Sequence, residues 1–388
     1  MKIPAWKIPA WLRRLAAALA VLLVLIGVWV AVALRDPPSA AQGVVVAPDE
    51  QVYMSRIVAS AVTMIDAAHA EAPERPFTRD VHSKAHGCVK ARVQVGDLEP
   101  RLRHGLFARP GAYDAWLRFS SGDTRVQSDT IRDARGFALK VMGVPGEKLL
   151  PAEKGESTQD FVMINSSRFF IRTLADYEAF TAAMARGSRY GWFFDPWWQP
   201  WRWRIRELVL AADTLKAPPA SLLQTQFHSL SAYRLGPQQF VKYSARPCEV
   251  REVARQPRGG QMLRASLKRE LAADGGCFDL LVQLQVPGKD MPVEDATVRW
   301  SAKDSPFLRV ARVTIPRQSF DTPEQDAFCE ALSFTPWHAL PAHEPVGVMN
   351  RARRVLYQET SRYRHARNDT PRAEPRGLCL DLTGAGCP

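Results

Sequence analysis

The 388 residues, 46% hydrophobic and 24% charged, can bury a large core in one big domain or two smaller ones, which sets disorder aside. Fifty-two basic residues against 40 acidic ones leave a net charge of +12. Such a charge draws phosphates, anionic lipid and anionic ligands alike, so it names no partner and excludes only an acidic, self-solvating chain.

The first element is an uninterrupted apolar run from Leu15 to Leu34. At ~1.5 Å per helical residue its length matches the ~30 Å hydrocarbon core of a bilayer, so a transmembrane helix is predicted. Lys2, Lys7, Arg13 and Arg14 precede the run, whereas Arg35 alone follows closely and is answered by Asp36. The positive-inside bias then keeps the N-terminus in the cytoplasm and exports everything after Arg35. A cleaved signal peptide competes, because Ser39 and Ala41 are small enough for a cleavage site, but the apolar run exceeds the usual hydrophobic length of such signals. Residues 37–48, rich in proline and small side chains, read as a stalk.

Residues 51–70 have helical periodicity. Short alternating segments follow at 91–95, 115–121, 136–144, 278–286 and 308–315, each bounded by Gly, Pro or Asp, and predict an antiparallel sheet or barrel. Thr322-Pro323-Glu324-Gln325 offers an N-cap, a proline at the first helical position and a capping-box partner, opening a helix to about Leu332. A second helix is predicted from near Val346 past Tyr357. The class is α+β, without an internal repeat.

Residues 190–206 interleave Trp192, Trp197, Trp198, Trp201 and Trp203 with Phe193, Phe194, Arg202, Arg204 and Arg206. Aromatics with arginine suit a membrane interface, ordinary packing, or stacking on nucleobases. Six cysteines, Cys88, Cys248, Cys277, Cys329, Cys379 and Cys387, would share an oxidising compartment, where an even count permits disulfides; small apolar fillers are the competing reading. None has metal-ligand spacing, and Cys379 and Cys387 in the tail are the better disulfide candidates, not necessarily with each other.

Four segments carry chemistry. The first, Arg79-Asp80-Val81-His82-Ser83-Lys84, sets an imidazole between two cations. In the second, Arg118-Phe119-Ser120-Ser121, a strand would turn Arg118 and Ser120 to one face, and residues 129–138 follow with Arg132 and Arg135. The third, residues 159–171, is an apolar run ending at Asn165 and followed by Phe169 and Phe170. A polar group aimed into an apolar cavity would fit it, as would a plain strand and turn. In the fourth, residues 350–364, Arg353 and Tyr357 are i and i+4 neighbours on one helix face. There a guanidinium favours the phenolate, the form in which tyrosine ligates iron. Taken singly, each segment has a plainer structural reading.

In this order and spacing the segments resemble the haem-binding core of catalases, over about residues 75–367. The resemblance rests on Arg79-x-x-His82-x-Lys84, Arg118-Phe119-Ser120, Asp129-Thr130-x-Arg132-Asp133-x-Arg135-Gly136-Phe137-Ala138, Phe169-Phe170-Ile171-Arg172 and Arg353-x-x-x-Tyr357-x-x-Thr360-x-Arg362-x-Arg364. Pro336-Trp337-His338 and His343-Glu344-Pro345-Val346-Gly347 look most like the small bacterial catalase-like haem proteins, the catalase-related peroxidases. The resemblance implies a catalase-like antiparallel β-barrel with surrounding helices behind one N-terminal transmembrane helix. The domain plan is then a cytoplasmic N-terminus at 1–14, an anchor at 15–34, a linker at 35–48, a haem domain at 49–370 and a C-terminal tail at 371–388.

It also implies haem b, with Tyr357 as the iron ligand, Arg353 supporting its phenolate, His82 as the distal base and Ser120 orienting that base. Arg79, Arg118 and Arg364 would pair with the haem propionates. Val81 matches true catalases; related allene oxide synthases carry threonine there. One position departs from the pattern. Counting back from Phe169, the catalytic asparagine of catalases falls on Ile164, so either Asn165 serves from one residue out of register or the distal amide is missing. The implied function is a membrane-anchored peroxidase or catalase-like enzyme reducing hydrogen peroxide or organic hydroperoxides. A fatty-acid hydroperoxide isomerase or peroxidase and a non-enzymatic haem protein are the alternatives. Partners are peroxide and, through the anchor, the bacterial inner membrane, with the catalytic domain in the periplasm; nucleic acid is not expected, and a homo-oligomer is open.

Overall fold

The computed structural model describes residues 9–37, 41–253 and 258–380. Lys2, Lys7, Ser39 and Cys387, on which parts of the topology and disulfide readings rest, lie outside the described residues.

Nine strands form one antiparallel sheet among the described residues: β1 (Ala85–Val95), β2 (Gly111–Ser121), β3 (Arg135–Val141), β4 (Gln159–Ile164), β5 (Phe227–His228), β6 (Tyr233–Leu235), β7 (Gln239–Pro247), β8 (Gly276–Leu284) and β9 (Leu308–Ile315). Their order is β5-β4-β3-β2-β1-β9-β8-β7-β6, and a further pairing of β5 with β7 closes eight of them into a barrel. Closure leaves β6 as a short addition on β7 and removes the open edges that would otherwise invite strand addition.

The period of two along each strand divides the barrel into an inside and an outside. Phe119, Phe137, Phe227 and Phe278 meet within the barrel, all pairs of ring centroids lying 5.1–6.2 Å apart, so its interior is a packed core. The residues between them, Arg118 and Ser120 on β2 and Gly136 and Ala138 on β3, face outward. Arg118, Ser120 and Gly136 are buried nonetheless and Ala138 is half-buried, so something covers them. That cover includes α7 (Val348–Arg367) and the segment 333–335, whose side chains line a cavity together with this outer face.

Packed around the barrel are also α2 (Glu50–Glu71), α3 (Leu174–Ala185), α4 (Ile205–Thr214), α5 (Met262–Ala273) and α6 (Pro323–Ala331). The helix expected over 51–70 is α2, and the helix opened by Thr322 is α6, where the threonine side chain accepts from the Gln325 backbone N–H with Pro323 behind it. Gly347 introduces α7 at φ +85°, and its Cα presses so closely on the Val293 carbonyl that no side chain fits. Ahead of the barrel stands α1 (Ala10–Ala33), apolar and with no buried residue.

No cysteine is free among the described residues. Cys88 of β1 is bonded to Cys329 of α6 and Cys248 to Cys277 of β8, with Cα separations of 5.7 and 5.6 Å; Cys379 is disulfide-bonded too. The filler reading is thus replaced by pairing, and spacing could not reveal it because Cys88 and Cys329 are 241 residues apart. Residues 374–377 pack on the barrel as well. Gly377 accepts from Trp116 Nε1 at 3.1 Å, and Glu374 joins a buried network in which Lys140 donates to both Asp160 oxygens at 2.9 Å and His338 Nδ1 lies 2.8 Å from Asp160. Asp160 and Glu374 outweigh burial at His338, so its imidazole is pushed up to about 9 and stays charged.

Candidate functional site

A cavity lies outside β2, β3 and β4, lined by both apolar and polar side chains. His82, Ser120, Arg79, Arg118, Tyr357 and Arg364 all line it. Two distant stretches of chain therefore converge on one space: the loop before β1 and the cavity-facing side of α7.

His82 is held rigidly. Its backbone N–H donates to the Gly122 carbonyl at 3.1 Å, and the Ser83 hydroxyl donates back to the Arg79 carbonyl at 2.7 Å. At φ +60° His82 adopts a left-handed conformation that a residue with a Cβ rarely takes, a strain that the surrounding contacts must hold. Its Nδ1 lies 3.0 Å from the Ser120 hydroxyl. Gly136, paired with Ser120 across the strands, leaves room for this ring: a Cβ there would come within 2.6 Å of His82 Nδ1. Burial, aided by the positive charges of Arg118, Arg353 and Arg79, depresses the imidazole to about 3, so it is neutral at ordinary pH.

On α7, the spacing i, i+3, i+4, i+7 aligns Tyr357, Thr360, Ser361 and Arg364 along the cavity. Arg353, one turn earlier, donates from Nε at 3.3 Å and from Nη2 at 3.2 Å to the Tyr357 hydroxyl, and from Nη1 to Asn350 at 3.2 Å. Although burial lowers the guanidinium's pKa, the phenols of Tyr357 and Tyr233 outweigh it and raise it, so Arg353 keeps its charge beside Tyr357.

The three remaining arginines form a second cluster, centred on Glu330 near the end of α6. Arg79 pairs with the Glu330 carboxylate at 2.7 Å and donates to the Cys329 and Leu332 carbonyls. Arg118 approaches the carboxylate at 3.5 Å and donates to the Ser83 carbonyl at 3.3 Å, while its Nε is buried without a partner. Arg364 donates to the Glu330 and Leu332 carbonyls. Burial raises the pKa of Glu330, but the three guanidiniums more than offset this and keep it ionised. Three positive charges around one carboxylate leave two uncompensated.

Asn165 is elsewhere. Its backbone N–H donates to the Arg135 carbonyl, its side-chain oxygen accepts from the Arg135 N–H at 2.8 Å, and it lines a different cavity with His228, Lys242 and Trp300. Ile164, the last residue of β4, pairs with Gly136. The sequence reading passed over Asp80, in the first cavity, and Glu330, which pairs with two of its arginines. Asp80 lines that cavity, its carboxyl pushed up to about 6 by burial against opposing backbone hydrogen bonds. Glu330 had no signal in sequence beyond a polar helix position, since its partners lie up to 251 residues away.

A family model for catalase matches residues 42–207. Catalase A of Pseudomonas putida is 24% identical over 315 residues, which cover 75% of this chain and 62% of that protein, so the chain spans about three fifths of its length. The fold is shared with solved catalases. A fungal catalase aligns with a TM-score of 0.60 at 18% identity over 85% of this chain and 66% of its own. Catalase A from Saccharomyces cerevisiae gives 0.60 at 18% over 85% and 68%, and a bacterial catalase 0.57 at 19% over 85% and 64%.

Proposed function

We propose that the chain, which shares the catalase fold, is a member of the catalase superfamily and a haem-dependent peroxidase or catalase-like enzyme, of the small catalase-related kind, that reduces hydrogen peroxide or organic hydroperoxides. The observation that carries the proposal is the convergence of His82 and Tyr357 on one cavity.

The residues present fit haem b. Tyr357, with the charged Arg353 guanidinium against its hydroxyl, would be the ligand for ferric iron. Arg79, Arg118 and Arg364 carry two more charges than Glu330 neutralises, which suits the two propionates, and the unpartnered Arg118 Nε supports an anion at that place. Bound there, the haem would supply an iron centre that accepts and returns electrons between peroxide and a reductant.

The chain's own work is proton handling. With Nδ1–H directed at Ser120, His82 offers Nε2 as a base that takes the proton from one peroxide oxygen and returns it to the other as the O–O bond breaks, so that water or, from an organic hydroperoxide, the alcohol leaves. Two electrons and two protons from the organic reductant would carry the remaining oxygen to water. A base near 3 is weak in solution, but it is never lost to protonation at ordinary pH and it passes its proton on readily. Asn165 is occupied by the Arg135 backbone, and counting back from Phe169 the distal asparagine's position falls on Ile164, so no distal amide enters the proposed chemistry. Handling of a second peroxide should suffer most, tilting the balance toward peroxidase chemistry with an organic reductant.

In this proposal α1 anchors the protein in a bacterial inner membrane and the folded domain lies in the periplasm, which agrees with the paired cysteines. The test is to assay haem-loaded protein with hydrogen peroxide and an organic hydroperoxide side by side, following peroxide loss and oxygen release. Consumption that needs an electron donor and is abolished in His82→Ala is expected. Oxygen release as fast as that of large catalases would refute the peroxidase balance, and turnover unchanged in His82→Ala would leave a haem carrier as the better account.

A further inference from the structure

The tryptophan-rich segment between α3 and α4 divides into two sets of rings. Trp192 and Phe193 are buried, packed on Phe180 and Phe170 and covered by the Arg204 guanidinium, 4.8 Å above the indole. These root the segment in the domain. Tyr190, Trp197, Trp198 and Trp201 instead stand 61–75% exposed, with Arg202 among them. Indole rings left this open in water form an apolar patch of the kind that marks an interaction site.

What covers them is indicated by α1. Trp203 packs edge-on between Phe194, at 5.2 Å, and Trp29 of α1, at 6.4 Å. Arg206 of α4 donates from Nε and Nη2 to Asp36, just beyond α1, at 3.0 and 2.9 Å. Trp29 lies five residues before Leu34, the end of the apolar run, so it sits roughly 7 Å below that end at the helical rise. A segment touching Trp29 must descend to the same level, within the ~5–10 Å to which amphipathic elements sink into a bilayer surface.

We propose that residues 190–203 form a membrane-docking surface whose exposed tryptophans enter the headgroup region of the leaflet from which α1 emerges. The proposal rests on the reading of α1 as a membrane anchor. Indole is suited to this zone, with an apolar ring for the acyl boundary and an N–H for the headgroups, and Arg202 meets the lipid phosphates. The domain is then held against the bilayer by two attachments instead of swinging on its stalk.

The test uses the full chain in vesicles of phosphatidylethanolamine and phosphatidylglycerol, with an environment-sensitive fluorophore on Trp198→Cys or, separately, on Ile26→Cys within α1. Quenching by bromine on the lipid chains is compared with quenching by iodide in water. At position 198 the expected result is a blue-shifted emission, strong quenching by lipid bromine and loss of iodide quenching. Iodide quenching at 198 that matches the protein in solution overturns the proposal. So does shielding from iodide without lipid quenching, which would mean contact with a second protein copy. The label at 26 separates the two readings: if lipid bromine fails to quench it, the anchor itself falls, whereas quenching at 26 with an aqueous 198 removes the docking surface alone.

Discussion

A single methyl group at Gly136 should separate the base from its orienting hydroxyl. Gly136 is fixed by strands on both sides, paired with Ser120 on β2 and with Ile164 on β4, so its backbone cannot retreat. A Cβ at this position would fall 2.6 Å from His82 Nδ1 and 2.8 Å from Cε1, and nearer still to Ser120 Oγ. The His82 ring would have to move back by roughly 0.6–0.8 Å and the Ser120 hydroxyl by roughly 1 Å to reach ordinary contact, and the 3.0 Å hydrogen bond between them would be lost. The φ of Gly136 is not positive, so alanine meets no backbone strain and the effect is steric. Misplacing a catalytic group by ~1 Å costs up to ~10²-fold, so kcat/KM for peroxide in Gly136→Ala should fall by about 10- to 100-fold, or roughly 1.4–2.8 kcal/mol of barrier. The assay is initial-rate peroxide consumption by haem-loaded protein, with the Soret band checked as a measure of cofactor retention. Adding Ser120→Gly makes room for the methyl without restoring the hydrogen bond, so the loss should persist. Wild-type turnover in Gly136→Ala with an intact Soret band would refute the role given to His82.

In Glu330→Gln, three guanidiniums lose their shared carboxylate. Apo-protein stability in urea should drop by about 2 kcal/mol, less than the ~3–5 kcal/mol of a fully buried broken pair because the carboxylate is 27% exposed; no change would mean the cluster is held by carbonyls alone. Lys140→Met leaves Asp160 and Glu374 to share the His338 charge alone and should cost ~3 kcal/mol by the same measurement, where a loss below ~1 kcal/mol would contradict the network. Burial, followed by neighbouring positive charge, depresses His343 to about 3, well below its unfolded value near 6.5. The unfolded chain therefore binds one more proton here between roughly pH 4 and 6, and stability falls as pH falls through that window. His343→Gln should flatten the dependence of unfolding free energy on pH by about 1.4 kcal/mol per unit there, and an unaltered slope would count against the neutral imidazole.

The site was legible in sequence wherever its logic is local. Arg353 and Tyr357 meet because four residues make one helical turn, and Arg118 and Ser120 share a face because strands alternate. Five strands and the helices α2, α6 and α7 likewise carried their own periodicity or caps. What was hidden depends on long-range geometry. The two residues of β5 and three of β6 are too short to show alternation, yet β5 closes the barrel. Glu330 gains its meaning only from arginines on the entry loop, β2 and α7, and the Cys88–Cys329 bond beside it joins opposite ends of the barrel domain. The asparagine ambiguity turned on one residue of register, and register is set by the pairing of Ile164 with Gly136 rather than by composition.

The central claim is that Tyr357 grips the cofactor's iron as a phenolate, and the optical spectrum of haem-reconstituted wild-type protein beside Tyr357→Phe tests it most directly. Wild type should show a Soret band with the bands of a phenolate-ligated ferric haem, and the phenylalanine variant should lose the haem or show a displaced spectrum. Two superimposable spectra at equal haem content would contradict the account.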